Sequence, residues 1–267
     1  MVDKSIWLGL AIGNSRLHWA WFKGEKLYLS WDTAYLAANH IQQFAKSQTW
    51  EDLPPEMLLP EQILTTDFAY PIPLYVVSVV PSQTELWQNY PNLQVITLDS
   101  IPLKNKYSTL GSDRALALWG AKETWGIPVL VIDSGTAMTF TGVDIDFALV
   151  GGAIVPGLSL QFLALDRETA NLSTVELPQQ LPPRFAKNTT EAIQSGIIYA
   201  LIAGIESFIK AWWEMYPDSQ VILTGGDRTN LFNYLNFQYP QIAEKVKCDH
   251  NLIFWGMQAY RKQQNLS

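Results

Sequence analysis

Thiols, basic clusters and long apolar runs are what this sequence has little of. Cys248 is the only cysteine among 267 residues, so no disulfide can form within the chain. A reducing compartment, the cytoplasm, is therefore expected, with Cys248 itself a bystander thiol. Lys and Arg number 18 against 25 Asp and Glu, a net charge of −7, and they do not cluster. That balance argues against nucleic acid or an anionic membrane surface as the main partner. No stretch is read as approaching the roughly 20 apolar residues of a membrane span. The N-terminus has no signal-peptide pattern, because the apolar run Ile6–Ile12 is short and passes straight into Gly13. The three histidines, His18, His40 and His250, stand isolated with no metal-ligand spacing. The G-x-x-x-x-G-K-S/T loop is missing, which excludes a P-loop kinase, and no G-x-S-x-G elbow is present.

What is there is apolar. Hydrophobic residues make up 48 % and charged residues 16 %, enough for a sizeable core in one large domain or two moderate ones. Strands are predicted at Ile6–Ile12, Arg16–Phe22, Lys26–Trp31, Leu74–Val80, Leu93–Thr97, Phe147–Val155 and Gln220–Thr224. Helices are predicted at Ala34–Gln48, Ser82–Asn89 with Ser82 as cap, Ser112–Thr124, Leu158–Arg167, Thr189–Glu214, Arg228–Leu235 and Leu252–Lys262. The Thr189–Glu214 segment has apolar residues all round and is expected to be largely buried. Proline-punctuated connections are expected from Pro54 to Pro73 and over Asn171–Lys187. Of the 11 tryptophans most should be packed, with several near Trp19 and Trp21 candidates for half-exposure.

The most informative stretch is VLVIDSGTAMTFTGV, Val129–Val143. A β-branched run reaches Asp133, turns through Ser134-Gly135, and leaves as a strand carrying Thr136, Thr139 and Thr141. Such a turn offers backbone N–H groups and a hydroxyl to phosphate, with a carboxylate beside them for a cation. An ordinary hairpin with a polar turn is the competing reading of the stretch alone. The same plan occurs earlier as WLGLAIGNSRLHWAW, where Gly13 matches Gly135, Asn14 matches Thr136 and Ala11 matches Asp133. This repeat suggests two similar halves, each offering a turn to one phosphate chain.

Five ordered motifs extend the pattern: Ala11-Ile12-Gly13-Asn14-Ser15, Gly111-Ser112-Asp113-Arg114, Asp133-Ser134-Gly135-Thr136-Ala137-Met138-Thr139, Gly151-Gly152-Ala153-Ile154-Val155-Pro156-Gly157, and Asn188-Thr189-Thr190-Glu191-Ala192-Ile193-Gln194-Ser195-Gly196. A third glycine turn follows at Thr224-Gly225-Gly226. In order and spacing they resemble type III pantothenate kinase, of the acetate and sugar kinase/Hsp70/actin superfamily. The resemblance implies an α/β fold of two ribonuclease-H-like halves, mixed sheets flanked by helices, divided near Ala121–Pro128 into residues 1–122 and 123–267. It implies a cytoplasmic homodimer with the substrate pocket at the subunit interface, phosphorylating pantothenate with ATP, Mg²⁺ and a potassium or ammonium ion.

By the same resemblance Asp113 is the catalytic base. Tyr107, Gly111, Ser112, Asp113, Arg114 and Thr189 contact substrate, Arg114 through its planar carboxylate-matching fork. ATP is met by the run Ala11, Ile12, Gly13, Asn14, Ser15, Arg16, Leu17 and His18, and by Thr136; Asp133 holds the monovalent cation. Read without the family, Asp113 is a helix-start acid complementing the macrodipole, and Asn188 or Thr189 is a helix cap. One motif residue departs: the family has Asp where this chain has Ala11, and alanine holds neither a metal nor its waters. Mg²⁺ is then left to other groups, catalysis is slowed, or activity is lost. The alternatives to a pantothenate kinase are a non-catalytic regulatory protein on this scaffold, or a relative acting on another substrate.

Overall fold

The computed structural model describes residues 6–57, 60, 70–168 and 175–266. Parts of both proline-rich connections, 58–59, 61–69 and 171–174, lie outside the described residues. In chain order the elements are β1 (Ile6–Ile12), β2 (Leu17–Lys23), β3 (Lys26–Thr33), α1 (Ala38–Lys46), β4 (Leu74–Ser78), α2 (Pro81–Trp87), β5 (Leu93–Val95) and α3 (Ser112–Trp125). They continue as β6 (Val129–Ser134), β7 (Ala137–Val143), β8 (Leu149–Pro156), α4 (Leu158–Glu168), α5 (Thr189–Met215), β9 (Gln220–Thr224), α6 (Arg228–Gln238), α7 (Pro240–Ala243), β10 (Val246–Cys248) and α8 (Leu252–Leu266).

Two compact units result. The first comprises Met1–Pro102, Tyr107–Gly120 and Ile253–Ser267; the second comprises Leu103–Lys106 and Ala121–Leu252. A division at 122/123 assigns the closing helix to the second half, whereas here α8 groups with the first unit. The cause is steric fit within that unit: Gly9 on β1 leaves room for Met257 and Phe254, and Gly256 lies against the Leu116 backbone.

Each unit carries one five-stranded sheet, ordered β3-β2-β1-β4-β5 and β10-β9-β6-β7-β8. The two orders are the same plan. A strand pairs antiparallel with its successor across a short turn, that successor pairs antiparallel with a third, and a later strand adds in parallel on the other side. The repeat read from the sequence is thus a repeat of topology.

The first core gathers Leu8, Leu10, Trp19, Phe44, Met57, Val76 and Trp87. Trp19 and Trp21 are themselves buried, while Trp31 beside them is half-buried. Trp19 stacks on Trp31, meets Phe44 and Trp87 edge-on, and satisfies its N–H on the Thr33 hydroxyl at 3.0 Å. Helix α2 opens at Pro81, with Val80 before it, so Ser82 is not its cap; the fixed φ of proline suits the first helical position.

In the second unit α5 is the central core element, burying Ile198, Ile202, Ile205, Ile209 and Trp212 against the sheet. Ser195, Ile197 and Leu201 beside this stripe are buried as well. The opposite face exposes Ala192, Gly196, Ala200, Ala203, Ser207 and Ala211. The expectation of a largely buried helix therefore fails: small residues contribute apolar character without needing cover. By length and composition alone α5 could cross a membrane, an exception to the expectation drawn from the sequence, but Ile198, Leu201, Ile202, Ile205, Ile209 and Trp212 pack into the core of this unit.

Candidate active site

In the first unit the site begins at the turn between β1 and β2. The Gly13 N–H donates to the Arg16 carbonyl at 3.1 Å, closing the turn, and the Tyr35 hydroxyl donates to the Gly13 carbonyl at 2.5 Å. Ile12 and Leu17 are buried, so they can offer a nucleotide only their backbone. Asn14, Ser15 and Arg16 are exposed, and Gly13 and His18 half-buried. Ala11 is buried on β1, directly across the ladder from His18.

His18 is not isolated. Its Nδ1 lies 2.6 Å from Asp32 Oδ1, and Arg16 Nη1 lies 3.2 Å from Asp32 Oδ2. Partial burial raises the Asp32 proton affinity, but the hydrogen bonds and charges of His18 and Arg16 outweigh it and hold the carboxyl below its usual range. The sequence reading missed Asp32 because it ended the third strand at Trp31. The strand continues to Thr33, and register alone brings Asp32 opposite His18. Among the described residues no cluster of three or more His, Cys, Asp or Glu side chains suits a metal.

The start of α3 carries the second part of this half-site. Gly111 accepts the first helical hydrogen bond, from Ala115 N–H at 3.1 Å, and Ser112 Oγ donates to the Ser78 carbonyl at 3.2 Å. Asp113 folds back so that its carboxylate accepts from the Arg114 N–H at 2.7 Å. A side chain at position 111 would collide with Asp113 Oδ1, which is why glycine precedes it. Burial raises the Asp113 carboxyl above the ordinary value of 3.8, overriding the Arg114 amide and charge that pull it down. Arg114 Nη1 donates to the Tyr107 hydroxyl at 3.0 Å, and Tyr107 is exposed. The structure thus brings Tyr107, Gly111, Ser112, Asp113 and Arg114 together.

In the second unit three turns meet. Gly135 N–H donates to the Ala137 carbonyl at 3.1 Å, and Gly157 N–H to the Thr136 carbonyl at 2.9 Å. Gly157 rests on the Gly135 carbonyl so closely that no Cβ fits. Gly225, at φ +90°, passes against Asp133 and the Ser134 carbonyl, a backbone conformation open to glycine. The buried Ser134 hydroxyl donates to the Thr224 carbonyl at 2.8 Å, and Asp227 N–H to the Ser134 carbonyl at 3.0 Å. Thr136 is exposed. Asp133 pairs in register with Thr139 on one side and Thr224 on the other. One sheet row therefore carries a carboxylate between two hydroxyls, an all-oxygen set of the kind hard cations take. At α5 the cap is Asn188, whose side chain accepts from Glu191 N–H at 2.9 Å. Thr189 is thereby released from capping and lies exposed on the first turn.

Comparison with known proteins gives a family and a fold. The family model for type III pantothenate kinase matches residues 7–211. The chain is 54 % identical over 259 residues to a type III pantothenate kinase of Nostoc, covering 94 % of this chain and 93 % of that protein. In fold it resembles a conserved putative Baf family transcriptional activator from Campylobacter jejuni, with TM-score 0.61 at 20 % identity over 97 % of this chain and 100 % of the other. It also resembles a ROK hexokinase from Thermus thermophilus, with TM-score 0.50 at 11 % identity over 97 % and 99 % of the two chains. These likenesses show the fold alone: two mixed sheets flanked by helices.

Proposed function

The chain belongs to the type III pantothenate kinase family, and from that premise we propose that it transfers the γ-phosphoryl group of ATP to pantothenate. The product is 4′-phosphopantothenate, and the reaction is the first step of coenzyme A biosynthesis. The observation that carries the reading is the first turn of α3, where a base and a carboxylate-binding fork stand side by side.

Asp113 accepts the proton of the primary hydroxyl as that oxygen attacks the γ-phosphorus. The bond from phosphorus to the β–γ bridging oxygen breaks, ADP departs, and the proton remains on the Asp113 carboxylate until solvent takes it. A carboxylate whose proton affinity is raised by burial is a stronger acceptor than an exposed one. Arg114, steadied by the Tyr107 hydroxyl, grips the carboxylate end of pantothenate and fixes the distance to the hydroxyl. The exposed Thr189 hydroxyl is a further substrate contact.

The nucleotide phosphates are assigned to the turn Gly13–Ser15 and to Thr136. Magnesium, arriving with ATP, neutralises phosphate charge. Asp133, flanked in its row by Thr139 and Thr224, fits a potassium or ammonium ion through oxygen donors. The reading extends to a cytoplasmic homodimer with the pantothenate pocket at its interface. Support comes from the small-residue face of α5 and from the exposed Ile154 and Leu163, apolar surface that a second copy would cover.

The test is ADP release by the purified protein with and without pantothenate and potassium. Turnover is expected only with pantothenate, and Asp113→Asn is expected to lower kcat by about 10²- to 10⁴-fold, the usual contribution of a positioned base. Absence of pantothenate-dependent turnover in the wild-type protein overturns the reading.

A further inference from the structure

The connection into α5 is fastened at close intervals. From residue 175 to 187 it has neither helix nor strand, yet four of its carbonyls take a side-chain donor from α5 or α6. Gln194 donates to Glu176 at 2.8 Å, Tyr234 to Pro178, Tyr199 to Pro182 at 3.1 Å, and the buried Ser195 hydroxyl to Arg184 at 2.8 Å. The Arg184 guanidinium also stacks on the Tyr199 ring, 4.0 Å from its centre. Asn188 then caps α5. Bonds to backbone carbonyls hold the path of a chain whatever side chains it carries. Ser195 and Tyr199 stand three residues past Ala192 and Gly196, so they border the exposed face that carries Thr189, Ala192 and Gly196.

Between these fastenings the side chains are placed against the interest of folding. Phe185 is 91 % exposed, more than any other large apolar residue among those described, whereas Ala186 beside it is half-buried. A solitary fold would gain from the reverse, with the ring inward and the methyl outward. Single apolar residues on a loose surface loop need no explanation. Phe185 is not on a loose loop: Arg184 before it is held at its carbonyl and at its guanidinium, and the chain bends at 184 and 185. The ring is therefore kept outward by a path that other residues fix.

The chemistry of the substrate gives such a ring a task. Pantothenate carries a carboxylate at one end. At the other, the hydroxyl that takes the phosphoryl group sits beside a quaternary carbon bearing a pair of methyl groups. The residues assigned to substrate offer polar atoms: the Asp113 carboxylate, the Arg114 fork and the Thr189 hydroxyl. Ser112 gives its hydroxyl to Ser78, and Gly111 has no side chain. The Tyr107 hydroxyl holds Arg114, which places its ring at the carboxylate end. The methyl pair is left without an apolar wall. We propose that Phe185 is a specificity-determining residue: its ring is the wall on which the methyl pair of pantothenate packs, and Ser195 and Tyr199 are the positioning residues that hold it. The assignment rests on the proposed function, with Thr189 as substrate contact.

The test compares pantothenate with the analogue bearing hydrogens in place of both methyls, by ADP release and by calorimetric titration into the full-length protein. Wild type is expected to favour pantothenate about tenfold or more in kcat/KM, the scale of small apolar groups in a fitted pocket. Phe185→Ala is expected to raise KM for pantothenate by that factor and to leave KM for the analogue and for ATP unchanged, so the preference disappears. Phe185→Leu, which keeps an apolar surface, retains part of it. Ser195→Ala and Tyr199→Phe lower the preference by less, a readout that a merely structural role would not move. A preference that survives Phe185→Ala overturns the assignment. So does a KM raised alike for both substrates, a preference untouched in both Ser195→Ala and Tyr199→Phe, or no retention in Phe185→Leu. A smaller species than wild type in sedimentation equilibrium of Phe185→Ala also overturns it, by making Phe185 an interface residue. Calorimetry separates this assignment from the reading beneath it. Methyl-dependent binding without ADP release overturns the kinase reading and leaves the wall in place; binding of neither compound overturns both.

Discussion

Asp113 is held under two opposed influences. Burial favours its protonated form, while the Arg114 amide and guanidinium favour the carboxylate, and burial wins. The sign of the consequence for stability follows. A carboxyl whose folded pKa lies above its unfolded value binds more protons when folded, so ionising it costs stability as pH rises from 3.8 through the raised value. Asp113→Asn removes that cost. The variant is expected to melt above wild type at neutral pH, with the difference fading as pH falls below 4, as thermal unfolding across pH will show. Loss of turnover with gain of stability is the mark of a functional group kept at a structural cost. Asp113, Arg114 and Tyr107 were legible in the sequence because they are neighbours along it, and their contacts form within one helical turn and the loop before it. Asp32 was not. It meets His18 only through strand register, and a strand edge carrying a charge gives no sequence signal of where it ends.

Among the elements, α5 shows where reading by composition stops. Its length and its start were visible, since Asn188 and Glu191 mark the first turn. Its burial was not, because alanine and glycine count as apolar on either face. The large residues Ile198, Ile202, Ile205 and Trp212 define the side in contact with the sheet, and the side left open is mostly small, with Phe208 and Lys210 beside the alanines. That open side lets another backbone approach closely, which is the basis for assigning it to a second copy of the chain. Ala200→Arg places a long cation there without touching the core. It is expected to convert a dimer to monomers in sedimentation equilibrium while the far-ultraviolet circular dichroism stays unchanged.

For the whole molecule, the two-unit plan was readable from the repeated strand–turn–strand, and the return of α8 to the first unit was not. An amphipathic pattern says that a helix has a buried face, but not which sheet will bury it. Phe254 and Met257 fit over Gly9, where any larger residue on β1 would push them off. Removing Ile253–Ser267 is expected to strip amide-exchange protection from β1, β2 and β4 while leaving β6, β7 and β9 protected, as hydrogen exchange on the truncated protein will show. The same contact sets an order on synthesis. The second unit, Leu103–Lys106 included, is complete once Leu252 has been made, so it can fold as the ribosome delivers it. The first sheet leaves the ribosome earliest, yet it must wait with one face uncovered until the final helix has emerged.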